Sequence, residues 1–184
     1  MLAFGAARRR PFPRRLGSAA GAMLFASAFA IMLAAGSLQP ALAEDFKGKF
    51  GDWDLRCETP PGASKQQCAL VQRVSAEDVP GLNLIVLVMK LNEGKQRLMR
   101  IIAPLGVLLP TGLGLMIDET KIGNTGFARC NTHGCIAEAI LDDKLIDQLK
   151  AGKTATFIVH ETPEKGVGLP IALSGFKEGF VKLP

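Results

Sequence analysis

An antiparallel, mainly β domain, a β-sandwich with one short α-helix near 142–151, is the fold the sequence predicts. Three observations carry it. Apolar runs recur every ten residues or so, separated by Gly, Pro and Asn turn signals, as strands of sandwich folds do. The segment 126–152, GFARCNTHGCIAEAILDDKLIDQLKAG, holds two cysteines around a four-residue turn, then an apolar arm, then the one convincing helical pattern. Finally, Cys57, Cys68, Cys130 and Cys135 are the four cysteines of the chain, an even set suited to a disulfide framework.

The chain of 184 residues opens with Arg8, Arg9, Arg10, Arg14 and Arg15 ahead of an uncharged apolar run that reaches about residue 35. Ala41-Leu42-Ala43 then supplies a small-x-small cleavage pattern, so residues 1–43 are expected to be a cleaved signal peptide and 44–184 a single β domain. The alternative is a retained anchor, since the run approaches the ~20 residues that span a bilayer core. Arg9-Arg10-Pro11-Phe12 resembles a twin-arginine export signal, a pattern that ordinary signals with arginine clusters share. Five of the 22 basic residues belong to this leader, and the 17 that remain balance the 17 acidic ones. No basic cluster is left to neutralise a row of phosphates, so a nucleic-acid partner is not expected. The location expected is periplasmic, secreted or surface-associated.

Along the predicted mature chain, 47–51 is a short polar lead-in. Trp53, Leu55 and Cys57 then alternate with polar residues as one face of a half-buried strand. The Pro60-Pro61-Gly62 loop leads to a second strand from Cys68 to Val74, and a turn is expected over 78–81. Residues 84–89, Leu-Ile-Val-Leu-Val-Met, have no polar break, which predicts a central strand covered on both faces. A turn at 92–95 leads to a return strand over 96–102. Residues 101–118 are rich in apolar side chains, but Pro104, Pro110 and three glycines rule out one continuous helix. Short strands are expected at 107–109 and 113–117, with Leu105, Leu109, Thr111 and Leu113 on a loop tip that could bind a partner; alternatively these side chains turn inward. Phe127 to Cys130 and Cys135 to Ile140 are expected to form a hairpin whose tip carries Asn131, Thr132 and His133. Asp142 is the predicted N-cap of the helix, Leu145, Ile146 and Leu149 its apolar face, and Gly152 its end. Beyond it, a strand over 154–160, a mobile-looking loop at 161–166 and further strand-like segments finish the chain, with Pro170 marking an edge.

Pairing the cysteines locally is the economical choice among three connectivities, Cys57 with Cys68 and Cys130 with Cys135. Two chemical alternatives compete with it around the second pair. Cys130, His133 and Cys135, with His160 from elsewhere, could serve as soft metal ligands, or the two thiols could act as a redox pair. The spacing matches no common zinc knuckle, and an oxidising compartment consumes thiols. Catalysis has no foothold: two histidines, no Gly-x-Ser-x-Gly and no His-Glu-x-x-His leave no nucleophile with a base.

Phe50-Gly51-Asp52-Trp53 followed by Cys57, Cys68 with Gln72 four residues on, Phe127 with Cys130, Gly134-Cys135, the acid-capped helix and Ser174-Gly175-Phe176 resemble the invasion-associated locus B family of bacterial envelope proteins. The resemblance covers nearly all of the predicted mature chain. It implies an exported, disulfide-bonded β-sandwich of immunoglobulin-like size, without cofactor and without catalytic residues, from a family associated with host-cell invasion. The function expected is binding: an envelope or host protein engaged through the 104–114 loops or the Cys130 hairpin tip, with membrane contact at most peripheral.

Overall fold

Eleven strands and two helices are formed by residues 45–76 and 81–184, the parts of the chain that the structure, a computed structural model, describes. The predicted leader and most of the expected turn at 78–81 lie outside the described residues. The strands are β1 (Asp45–Phe50), β2 (Trp53–Glu58), β3 (Gln67–Ser75), β4 (Asn83–Leu91), β5 (Gln96–Ala103), β6 (Leu113–Ile117), β7 (Thr120–Thr125), β8 (Phe127–Asn131), β9 (Gly134–Ile140), β10 (Thr154–Thr162) and β11 (Lys165–Ala172). Helix α1 (Asp143–Ala151) separates β9 from β10, and α2 (Phe176–Lys182) ends the chain. All pairings are antiparallel, in a seven-stranded sheet ordered β1-β2-β3-β4-β5-β9-β8 and a four-stranded sheet ordered β11-β10-β6-β7. This is the predicted β-sandwich.

The core follows from register. Leu55, Leu70, Val88, Met99 and Ala139 stand opposite one another in a row across five strands of the large sheet. Leu169, Phe157, Leu115 and Gly123 form the matching row across the small sheet. Side chains on one face of each strand share a period of two, so both rows point into a single apolar layer. β4 is central, as expected, but only its inner face is covered by the second sheet. On its outer face Leu87 is half-buried in a row with Val71, Arg100 and Glu138, where the Arg100–Glu138 pair, 2.7 Å apart, lays long side chains over the strand.

Several elements correct the sequence reading. Residues 47–51 are not a lead-in, because β1 pairs with β2 along its length. No strand forms at 107–109; Pro110 instead seeds a 3-10 turn at Leu109–Thr111. β7 has no alternation to betray it, with Ile122 its one large apolar side chain, as suits an edge strand. Residues 161–166 form a tight hairpin, with Thr162 paired to Lys165 and Lys165 Nζ 2.6 Å from Glu161. Pro170 lies on an edge strand as predicted. Helix α1 has the predicted cap: the Asp142 carboxylate accepts from Leu145 N at 2.7 Å, worth about 1 kcal/mol. Gly152 is its C-cap, leaving the helix in extended backbone with its N donating to Gln148 O at 2.8 Å, and a Cβ there would stand 2.7 Å from an Ile117 methyl.

The largest departure is α2, a second helix where strand was expected. Phe176, Phe180 and Leu183 recur at helical spacing and are all buried, while Gly179 between them masks the propensity. That glycine is required by packing, because its Cβ would lie 2.8 Å from a Leu70 methyl. Phe176 meets the buried Trp53 ring edge to face at 5.2 Å and stacks on Phe180 at 5.7 Å. Trp53 Nε1 donates to Ala172 O at 3.0 Å, and Asp52 N to Ser174 O at 3.3 Å. Gly51 and Gly175, both at positive φ, face each other so closely that a Cβ on Gly175 would overlap the Phe50 carbonyl and one on Gly51 the Ser174 carbonyl. The two motifs Phe50-Gly51-Asp52-Trp53 and Ser174-Gly175-Phe176 are therefore halves of one clasp that seats the C-terminal helix. At its far end Lys90 donates to Leu183 O, and the Lys90 and Lys150 ammoniums lie 5.1 and 5.3 Å from the Phe180 ring centre. Burial, and then the charge of Lys150, hold the Lys90 pKa below its ordinary 10.5.

Candidate interaction surface

β5 ends at Ala103, directly opposite Cys135 of β9, so the loop that crosses to the small sheet leaves from beside the β8–β9 hairpin tip. Gly134 makes this approach feasible, because a Cβ there would overlap the Ala103 carbonyl. The crossing loop is held at several points. Leu108 N donates to His160 O at 2.7 Å, Thr111 Oγ1 to Leu108 O at 2.7 Å, Gly112 N to Leu109 O at 3.0 Å, and Asn124 Nδ2 to Thr111 O at 3.3 Å. These bonds fix residues 108–112, and the loop leaves Leu105 58% and Leu109 46% exposed. Two exposed leucines four residues apart on one loop make it a candidate contact surface.

The hairpin tip is similarly ordered. Asn131 Oδ1 accepts from His133 N at 2.8 Å, an Asx turn within the tip, and Thr132 Oγ1 lies 3.3 Å from His133 Nδ1. Asn131, Thr132 and His133 are all exposed. The Cys130–Cys135 disulfide closes the hairpin below them, and the Cys57–Cys68 disulfide ties β2 to β3; both join residues directly opposite in register, with Cα atoms 4.0 Å apart. The structure thus starts the crossing loop, which carries Leu105, Leu109 and Thr111, beside the base of the hairpin tip at Gly134 and Cys135.

Leu113 does not belong with them. It is 2% exposed and opens β6 on the inner face, opposite Thr125, so the inward alternative holds at that position. The proposed ligand set around His133 is also rearranged, because Cys130 and Cys135 are bonded to each other. His160 is on β10, its ring packed over Gly166 with Nε2 3.0 Å from where a Cβ would be. Among the described residues no three His, Cys, Asp or Glu side chains are grouped to hold a metal. Nor, among them, is any helix long and apolar enough to cross a membrane. Sequence reasoning missed two other exposed apolar residues, Ile140 at 59% and Val181 at 69%. Ile140 ends a strand, where period-two patterning has little force. Val181 was masked by the mistaken strand at the C-terminus.

The class of protein follows: a disulfide-stapled β-sandwich with two exposed leucines on the loop that crosses between its sheets. The family can be given as well. The sequence model of the invasion associated locus B (IalB) protein family matches residues 53–184, and the chain belongs to that family. Invasion protein B homologs of Brucella abortus, strain 2308 and biovar 1 strain 9-941, are each 26% identical over 151 residues, 82% of this chain and 82% of theirs. The crystal structure of invasion associated protein B from Bartonella henselae superposes with a TM-score of 0.61 at 23% identity, covering 74% of this chain and 94% of that one. These relatives carry the names of invasion proteins rather than of enzymes.

Proposed function

We propose that this protein is an exported, disulfide-stapled binding protein of the bacterial envelope, which docks a protein partner through Leu105, Leu109 and Thr111 of the crossing loop and Asn131, Thr132 and His133 of the adjoining hairpin tip. The observation that carries the reading is the pair of exposed leucines on a crossing loop whose 108–112 part is held by four hydrogen bonds. Export is supported by the arginine-led apolar run and the Ala41-Leu42-Ala43 pattern, and periplasmic or surface location by the two disulfides. The partner is an envelope or host-surface protein, in keeping with the names of the relatives. Replacing both leucines, Leu105→Ser with Leu109→Ser, tests it. The melting temperature should stay within about 2 °C, since neither side chain is in the core, while complexes crosslinked in intact cells disappear. Unchanged crosslinking with both leucines removed refutes the docking role.

A further inference from the structure

The two inner rows of the sandwich taper at the same flank. The large-sheet row runs Leu55, Leu70, Val88, Met99 and ends in Ala139; the small-sheet row runs Leu169, Phe157, Leu115 and ends in Gly123 on the edge strand. Where each sheet should present a large apolar side chain, it presents a methyl or none. Among the described residues a Cβ at Gly123 would meet no atom within 4 Å. The space left is an apolar crevice of about 150 Å³ between the sheets, lined by Met99, Leu115, Gly123, Ala139, Leu145 and Phe157 among others. Thr125 Oγ1, donating to Glu138 O at 2.9 Å, ties β7 to β9 on one side of it. A dry apolar cavity of this size takes up one benzene ring, so the crevice suits one ring or the end of one hydrocarbon chain.

Ile122 and Leu145 line this crevice and also a neighbouring surface groove of about 350 Å³. Ile122 occupies the bulge in β7 where the register with β6 shifts. The groove continues the apolar lining with the exposed Ile140, then becomes polar and cationic at Lys121 and Lys144. Neither lysine has an ion pair or hydrogen bond among the described residues. The groove's lining holds one acidic residue, Asp142, which caps α1, so its two lysines outnumber the carboxylate, and the neighbouring Asp143 is paired with Arg97 at 2.7 Å. Apolar depth leading to two unengaged ammoniums is the complement of a single-chain amphiphile with an anionic head.

We infer that the crevice between β7, β9 and α1 binds a free fatty acid, its chain end between the sheets and its carboxylate beside Lys121 and Lys144. A crevice that admits one chain leaves the second chain of a diacyl lipid in water, which favours the free acid over a membrane lipid. Titration with sodium decanoate below micelle formation tests this, followed by calorimetry and by methyl NMR of the unaltered protein. Saturable one-to-one binding is expected, with shifts at Leu115, Ile122 and Leu145. Ala139→Phe, which fills the crevice, should weaken binding by about tenfold or more. Lys121→Gln with Lys144→Gln should weaken decanoate about threefold to tenfold at low salt and leave decanol unchanged. The inference is overturned if saturating decanoate moves none of those methyls, a result that needs no variant to fold. It is also overturned if decyltrimethylammonium binds as tightly as decanoate, or if phosphatidylglycerol vesicles capture the protein while free decanoate does not bind.

Discussion

Gly175→Ala probes the clasp that seats α2, and Gly62→Ala supplies its control. The two glycines have nearly the same positive φ, 83° and 82°, so an alanine at either carries a similar left-handed cost of roughly 1 to 2 kcal/mol. They differ in space. A Cβ at Gly62 meets nothing within 4 Å, whereas one at Gly175 overlaps the Phe50 carbonyl, a backbone atom that no rotamer change can move aside. Relief requires the turn at Gly51 to separate from Ser174, which loosens the Asp52 N to Ser174 O bond and the Trp53–Phe176 contact. Losing one such hydrogen bond and part of one aromatic contact adds roughly 2 kcal/mol. Gly175→Ala should therefore cost about 3 to 4 kcal/mol, against about 1 to 2 for Gly62→Ala. Trp53, the one tryptophan and fully buried, reports unfolding by fluorescence in a urea titration. Equal losses for the two variants would refute the close-approach argument.

Three other outcomes are expected. Removing Cys57–Cys68 as an alanine pair should cost about 3 kcal/mol and removing Cys130–Cys135 about 2, because the closed loops differ in length, 11 against 5 residues; urea midpoints in the reverse order would contradict the entropic account. Gln72 is buried on the inner face with its Oε1 unmatched by any donor among the described residues, so Gln72→Met should stabilise by about 1 kcal/mol, and a loss of stability would show that the amide has a role the packing does not reveal. Lys90 titrates below 10.5 in the fold, so at alkaline pH the unfolded chain holds more protons than the native one. Stability should therefore rise with pH through the depressed value up to 10.5. Relative to Lys90→Met, the unaltered protein should gain in that window, and a flat or falling difference in urea midpoint is the contrary result.

The fold was legible wherever a period or a spacing had one reading. Trp53, Leu55 and Cys57 lie on one face, Asp142 caps its helix, and Pro170 lies on an edge strand, because each rests on local geometry. The cysteine pairs join opposite residues for the same reason. The failures have a common cause in long-range packing. α2 was hidden by Gly179, whose role is set by Leu70 more than a hundred residues away, although Phe176, Phe180 and Leu183 already carried the helical period. β1 and β7 have weak patterns because their stability comes from a neighbouring strand. Within the candidate surface, Leu105 and Leu109 could be placed on a loop by the flanking prolines, but nothing local distinguished Leu113, whose burial depends on opening β6 opposite β7. The taper to Ala139 and Gly123 is visible only once the registers of two sheets are known.

The docking role of the crossing loop is tested most directly by a photo-crosslinking residue placed at position 109 or, in a separate chain, at position 181. Val181 is the more exposed of the two, 69% against 46% for Leu109, so exposure alone predicts at least as much capture there. The account predicts a discrete crosslinked complex from position 109 in intact cells and none from position 181. Equal capture at both positions, or capture at 181 alone, would contradict it.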